Sequence, residues 1–316
     1  MSAQEAQDAE GGVGPDPAPA PVEVAPGLLM LPLRSPTLPP ATHTNCFLVG
    51  DSEAVLVEPA SPYPEEIDRV VALVEARRAA GGDVVAILAT HHHVDHIGGA
   101  VALKERLGLP LFGHALTAER LRGLVSFDRL LEDGERIALG APGEMTLEAV
   151  HTPGHAPGHL CFVDTRSGAM IAGDMVAGVG SILIDPTDGD MAAYLDSLRA
   201  MADRRPSMLL PAHGGPIHAV AAKVEQYVSH RLMREEKVFE ALRSLQERER
   251  EQKRARDGGP EDDGCTPEEL VPWAYDDAPP AVYPIAALAT EAHLIKLEGD
   301  GRVTSAGGRW RVAGAP

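Results

Sequence analysis

Apolar positions along this chain come either as short continuous runs or as helically spaced sets, and their order predicts the architecture. Runs at Gly27–Leu33, Thr44–Val49 and Ala54–Val57 read as strands, the last two joined by the hairpin-type turn Gly50-Asp51-Ser52. Pro64–Ala80 places Ile67, Val70, Val71 and Val74 at helical spacing with charges between them and stops at Gly81-Gly82. Val84–Leu88 is another buried-type strand, and Ala100–Leu107 a helix ended by Gly108. A short strand, Pro110–Phe112, and a short helix, Thr117–Gly123, follow. From Glu135 the pattern turns to short strands at Arg136–Leu139, Met145–Val150, Leu160–Asp164 and Ala169–Ile171. Asp190–Ala202 is then a helix with Tyr194, Leu195, Leu198 and Met201 on one face, and Met208–Leu210 a last strand. Strands, helices, strands, helix, strand is the order of an α/β protein with two sheets and helices outside, an αββα sandwich, rather than a strict βαβ alternation.

Both ends differ from this middle. Residues 1–26 are Ala, Pro, Gly and acid without Lys or Arg, too poor in apolar surface to offset the entropy of ordering, and are expected to form a disordered tail. After Ala219 a long helical stretch runs to about Arg256, with Val224, Tyr227, Val228, Leu232, Val238, Leu242 and Leu245 on its apolar face. Asp257–Gly264 reads as a loop, and Thr266-Pro267-Glu268-Glu269 as a helix start with a capping residue, Pro in the first turn and acids behind it. A third helix, Pro284–Leu297, leads to a hairpin of Arg302–Ser305 and Arg309–Val312 turning at Gly307-Gly308. The expected divisions are thus 1–26, 27–220 and 221–316.

Charge and cysteine usage narrow the class. With 28 basic and 47 acidic residues the net charge is −19, which repels polyanions at long range and argues against a general nucleic-acid coat protein while leaving room for a local anion site. Cys46, Cys161 and Cys265 form no CxxC pair and are odd in number, so buried free thiols in a reducing compartment are expected rather than a disulfide framework. No run approaches a membrane span, and no basic segment followed by an apolar run marks a secretory signal; the expectation is a cytoplasmic protein without membrane contact.

The chemistry concentrates in Thr90-His91-His92-His93-Val94-Asp95-His96-Ile97-Gly98-Gly99, directly after a strand, at the sheet edge where α/β folds put their sites. His91 and His93, two apart in extended chain, point the same way and can grip one ion. Asp95 and His96 follow where the chain turns and can aim at a second. Three further stretches sit just after predicted strands: His151-Thr152-Pro153-Gly154-His155-Ala156-Pro157-Gly158-His159, Ala172-Gly173-Asp174 and Pro211-Ala212-His213-Gly214-Gly215. Together they offer seven ligands for two divalent cations. His92 should point away from its neighbours, His159 to hydrogen-bond within the site, and His114 either to line a substrate pocket or to be an ordinary loop residue. His43, His151, His218, His230 and His293 are expected to be structural or exposed, and Cys161 a core thiol.

These motifs resemble the metallo-β-lactamase-fold superfamily, whose signature is HxHxDH followed by a distant His, an Asp and a last His; the likeness covers roughly residues 27–220. The resemblance implies that His91, His93 and His155 hold one metal, that Asp95, His96 and His213 hold the other, and that Asp174 bridges them. An Asp rather than a Cys at the bridging position is similar to the glyoxalase and ribonuclease branches more than to true lactamases. Three helices and a terminal hairpin resemble a small winged helix, and that pairing is similar to the beta-lactamase-like protein 2 group, which includes single-strand-specific endoribonucleases and relatives proposed to act on thioesters. The third helix carries Glu291, His293, Lys296 and Glu298, which is not a phosphate-seeking face, so the domain is expected to wall the active site or to form a homodimer.

Two divalent ions ~3.5–4 Å apart can share a water and lower its pKa towards neutrality, the basis of hydrolysis by a bridging hydroxide. No Ser or Cys stands in a triad motif, and Asp95 could orient the water. The expected activity is a dinuclear hydrolase with two Zn2+, manganese or iron being alternatives that ligand identity leaves open. Its substrate would be a small-molecule ester or thioester, or an RNA phosphodiester in single-stranded RNA. A glyoxalase-type hydroxyacylglutathione hydrolase fits less well, since no glutathione-binding region follows the metal motifs, and a lactamase less again. A non-hydrolytic metal-binding scaffold would be expected to have lost a ligand.

Overall fold

The computed structural model describes residues 19–178, 180–254 and 264–314. The first sheet follows chain order: β1 Val22–Ala25, β2 Leu28–Arg34, β3 His43–Gly50, β4 Glu53–Val57, β5 Asp83–Leu88, β6 Leu111–His114 and β7 Arg129–Leu131. Its first four strands pair antiparallel and its last four parallel, β4 belonging to both sets. The second sheet has the order β12-β11-β10-β9-β8, from β8 Arg136–Leu139, β9 Met145–His151, β10 Leu160–Asp164, β11 Ala169–Gly173 and β12 Met208–Pro211. Only β11 and β12 run parallel there.

The near-continuous apolar runs of the central strands have a simple cause. A strand's side chains alternate between faces, and both faces of these strands are covered. In β3, Cys46 and Leu48 pack under helices α1 (Pro64–Ala79) and α3 (Ala100–Leu107), while Phe47 and Val49 point into the layer between the sheets. β4 divides the same way, Ala54 and Leu56 against Val55 and Val57. Leu147, Ala149, Leu160 and Phe162 meet them from the second sheet. The outer face of that sheet, with Cys161, Met170 and Ala172, is covered by Tyr194, Leu195 and Leu198 of α5 (Met191–Asp203) and by Val224, Tyr227 and Val228 of α6 (Val220–Arg254). This is the αββα sandwich that the strand and helix order predicts.

Helix α6 runs for 35 residues, ~52 Å at 1.5 Å per residue, and serves both parts of the molecule. Beyond Val228, its Val238, Ala241 and Leu242 enter a separate core with α7 (Pro267–Ala274), α8 (Tyr283–Gly299) and the hairpin β13 (Val303–Ala306) and β14 (Arg309–Val312), closed by Trp310. The helix start read at Thr266 is a full capping box: the Glu269 amide donates to the Thr266 hydroxyl, and the Thr266 amide to the Glu269 carboxylate at 2.9 Å.

Several elements depart from the sequence reading. The tail expected over 1–26 includes a strand, since Val22–Ala25 pairs with β2; residues 1–18 lie outside the described residues, as do 255–263, which take in most of the expected 257–264 loop. Edge pairing ordered a segment whose composition alone could not. The short helix read over 117–123 spans Ala115–Arg120 as α4, because the His114 ring caps it two residues earlier, accepting from the Leu116 amide. β7 and the one-turn helix α2 (Val94–Ile97) are too short for periodicity to reveal. Among the described residues no helix is long and apolar enough to cross a membrane. The three cysteines are buried; burial pushes the Cys161 thiol up to about 12 and raises Cys46 as well. A disulfide-exchange reagent at mildly alkaline pH should therefore find almost no thiol in the native protein and all three after guanidinium; ready reaction of the native protein would contradict this packing.

Candidate metal centre

Four strand ends and the loops after them bring the signature residues to one edge of the sandwich. β5 ends at Leu88, and His91 and His93 follow in extended chain before α2 turns Asp95 and His96 inward. The loop after β9 brings His155, the end of β11 Asp174, and the end of β12 His213.

Three imidazole nitrogens face one another: His91 Nε2 lies 3.0 Å from His93 Nδ1 and 3.2 Å from His155 Nε2, and the last two are 2.9 Å apart. On the other side, Asp174 Oδ1 is 3.3 Å from His213 Nε2, and its Oδ2 is 3.5 Å from His96 Nε2 and 3.6 Å from His155 Nε2. Asp95 Oδ2 lies 3.7 Å from His96 Nε2 and 3.6 Å from His213 Nε2. Two donor sets result, His91–His93–His155 and Asp95–His96–His213, with Asp174 touching both.

The outer nitrogen of each imidazole fixes what the inner one presents. His155 Nδ1–H donates to the Leu183 carbonyl and His213 Nδ1–H to the His43 carbonyl, both at 2.9 Å. His96 Nδ1 faces Glu58 Oε1 at 3.1 Å, and His93 Nε2 faces Asp188 Oδ2 at 3.3 Å. Thr90 donates its hydroxyl proton to Glu58 at 2.7 Å, so its oxygen accepts from His91 Nδ1–H at 2.9 Å. Carbonyl and carboxylate oxygens only accept, so in each neutral ring the inner nitrogen presents a lone pair. Lone pairs on nitrogens this close repel unless a cation lies among them. An ion ~2.0–2.1 Å from three nitrogens in tetrahedral geometry would hold them roughly 3.3 Å apart. The buried His96 Nε2 and Asp174 Oδ1 have no hydrogen-bond partner among the described residues, which is a second sign that these donors suit a cation. The donor set therefore fits divalent metal.

The protonation tendencies divide accordingly. Burial, reinforced by neighbouring imidazoles, holds His91 well below its ordinary value; burial, only partly opposed by Asp174, brings His155 to about 4. Burial also disfavours charge on His96 and His213, but Glu58, Asp174 and Asp95 outweigh it at His96, and Asp174 does so at His213, and both are raised. Asp174 is held well below the carboxylate range despite its burial, by His96 and His213. One half of the site is kept as neutral ligand and the other draws positive charge.

The surroundings depend on residues that motif reading missed. Glu58, fully buried at the end of β4 in the left-handed region (φ 65°), holds both His96 and Thr90; an acid just past an apolar strand and before Pro59 was its one signal. Asp188 holds His93 and also His92, whose Nε2 is 2.7 Å away; rather than pointing away, His92 shares that carboxylate with His93 and lines the same cleft. His159 donates Nδ1–H to Thr152 at 2.8 Å and accepts the Asp174 amide on Nε2 at 3.1 Å. The glycine before Asp174 makes room for that ring: Gly173 has φ +49°, and a Cβ there would meet His159 Nε2 at 2.4 Å. Gly154 likewise admits the Tyr194 backbone, 2.2 Å from where a Cβ would be. Gly-rich loops here serve close packing behind the ligands. His114 lies outside the cleft, its ring stacked on His151 at 4.2 Å.

Over the cluster opens a cleft of about 820 Å³, with His93, Asp95, His155, Asp174 and His213 in its wall. Leu38 and Val94 line it, together with Val282, just before α8, and Ile285, Ala286 and Ala289 in the first turns of α8. The C-terminal unit thus walls the site.

Comparison with known proteins agrees with this geometry. Residues 39–213 match the Metallo-beta-lactamase superfamily, and residues 266–310 match the Beta-lactamase associated winged helix domain. The chain is 33% identical over 277 residues to an atrochrysone carboxyl ACP thioesterase of Aspergillus chevalieri, covering 86% of this chain and 82% of the relative. It is 28% identical to the beta-lactamase-like protein 2 homolog of Drosophila melanogaster, covering 82% and 84%. A solved metallo-beta-lactamase family protein from Thermus thermophilus superposes with a TM-score of 0.68 at 25% identity, over 92% of this chain and all (100%) of that one. The chain belongs to the metallo-beta-lactamase superfamily, as a hydrolase of that fold with the associated winged helix domain at its C-terminal side.

Proposed function

We propose that this protein is a dinuclear metal-dependent hydrolase of small-molecule thioesters. The observation that carries the reading is the convergence of five imidazoles, each with its outer nitrogen already tied, and two carboxylates at the wall of a largely apolar cleft. His91, His93 and His155 would hold one ion, Asp95, His96 and His213 the other, and Asp174 would be shared. Zinc suits this nitrogen and carboxylate set. The ions, when bound, would supply activation of water at neutral pH and polarisation of the carbonyl.

The chain's own residues do the rest. The apolar walls of the cleft exclude water from an acyl group lying along Val94, Ile182 and Ile285. Asp95 lines the cleft and faces the cluster with Oδ2, where it can orient the attacking water and hold its proton. As the water oxygen bonds to the carbonyl carbon and the C–S bond breaks, that proton leaves with the thiolate sulfur. Glu58, Asp188 and the Leu183 and His43 carbonyls hold the imidazoles through the turnover, and His159 does the same for the backbone of Asp174.

A thioester is favoured over RNA on two grounds. A relative matched along most of its length is named a thioesterase. The winged helix offers no phosphate-seeking face: on α8, Lys296 is tied to Glu235 at 3.0 Å and Asp300 at 2.7 Å, and His293 is fully buried.

The purified protein should carry about two zinc ions per chain, measured by plasma emission, and lose thioester hydrolysis on chelation. His155→Ala should bind one ion fewer and lose nearly all turnover; wild-type turnover in this variant would refute the assignment. Glu58→Gln, which keeps the shape but weakens the acceptor for His96, should lower metal affinity about 10–100-fold, the usual effect of removing a ligand's outer partner. Activity should then return at high zinc, and a variant with unaltered zinc affinity would show that Glu58 plays no part in holding the site.

A further inference from the structure

We infer that the cleft is built for a substrate bearing an oxyanion, a carboxylate or a phosphate, that pairs with Arg231; this deepens the thioester reading and rests on it. Arg231 is only 5% exposed yet lines the cleft. Its direct contacts are neutral. Nη2 donates to the Ile182 carbonyl and lies 3.3 Å from the Ser181 hydroxyl, and the guanidinium covers the Tyr194 ring at 5.5 Å. No carboxylate among the described residues comes within 4.0 Å of it, and its buried Nε has no partner there.

A guanidinium cannot shed its proton to escape burial, and a buried charge is stable only when it is paired and hydrogen-bonded. Nor is the pairing missing for want of acids, in a chain with 47 acidic and 28 basic residues. The acids nearby are engaged elsewhere. One turn along α6, Arg234 takes both oxygens of Asp277 at 2.7 and 2.9 Å, and Glu235 is held by Lys296. Of the acids in the cleft wall outside the metal set, Asp188 is held by His92 and His93, and Asp185 accepts the Thr187 amide at 2.9 Å. Exposed Arg120, on α4, also lines the cleft without an acid partner among the described residues. Arg231 is close to the chemistry by chain connection too: Ile182, which it grips, precedes Leu183, whose carbonyl fixes His155. A thioester whose carbonyl lies at the cluster and whose charged end reaches Arg231 would fit the apolar stretch between them.

The oxyanion could come from the acyl half or from the thiol carrier. Equilibrium binding to the zinc-loaded full chain by calorimetry separates the two, and it reads the same whether or not thioesters turn over. One arm compares straight-chain dicarboxylates with monocarboxylates of equal length; the other compares 4′-phosphopantetheine with pantetheine. In at least one arm the charged member should bind about tenfold tighter, the order expected of one charge-assisted pair. Arg231→Gln, which can still donate to the Ile182 carbonyl, should abolish that preference. Arg231→Lys, which keeps the charge without the planar fork, should weaken it several-fold, with metal content measured alongside each variant. No preference in the wild type, or a preference that neither substitution alters, would overturn the proposal.

Discussion

The structure turns on a constraint at the outer edge of each ligand ring. An imidazole has two nitrogens, and the one hydrogen-bonded to an acceptor decides what the other offers. Here five acceptors from separate parts of the chain do this: the Thr90 hydroxyl, Glu58, Asp188 and the carbonyls of Leu183 and His43. Their joint effect is a pocket of lone pairs and carboxylate oxygens that is stable only around positive charge. Thr90 and Glu58 form a relay in this arrangement, since one carboxylate oxygen serves His96 directly and His91 through the hydroxyl.

The sandwich supplies these acceptors because both sheets end at the same edge. Glu58 comes from the end of β4, the His91 segment from β5, and Asp174 and His213 from the parallel pair β11 and β12. His155 comes from the loop after β9, where Gly154 lets the chain pass against the Tyr194 backbone. Each ligand lies within a few residues of a strand that packs into the core, so its position is set by the core rather than by a loop's own preferences.

Much of this was legible in the sequence because the constraints are local. Two-sided burial makes apolar runs, so β3, β4 and β5 could be read without a partner in view. The HxHxDH spacing places four donors on one turn of chain. The capping box at Thr266 depends on neighbours three residues apart. What escaped depends on distant partners. Glu58 and Asp188 are single acids in ordinary contexts, and only the fold brings them to His96 and His93. β1 exists by pairing with β2, against its composition. Backbone acceptors such as the Leu183 and His43 carbonyls leave no mark on side-chain identity at all. Arg231 was just one more cation on a helix until its burial and neutral contacts were seen.

Helix α6 has a consequence for how the enzyme could adapt to different substrates. One unbroken helix is rooted in the sandwich at Val224 and Tyr227 and in the C-terminal core at Val238 and Leu242. Swinging the two units apart would mean fracturing that rod mid-span, so the gap they enclose behaves as a fixed gauge rather than a jaw. Substrate length and bulk would then be tuned by exchanging side chains along the rim, at positions such as Leu38 and Ile285, and not by hinge motion.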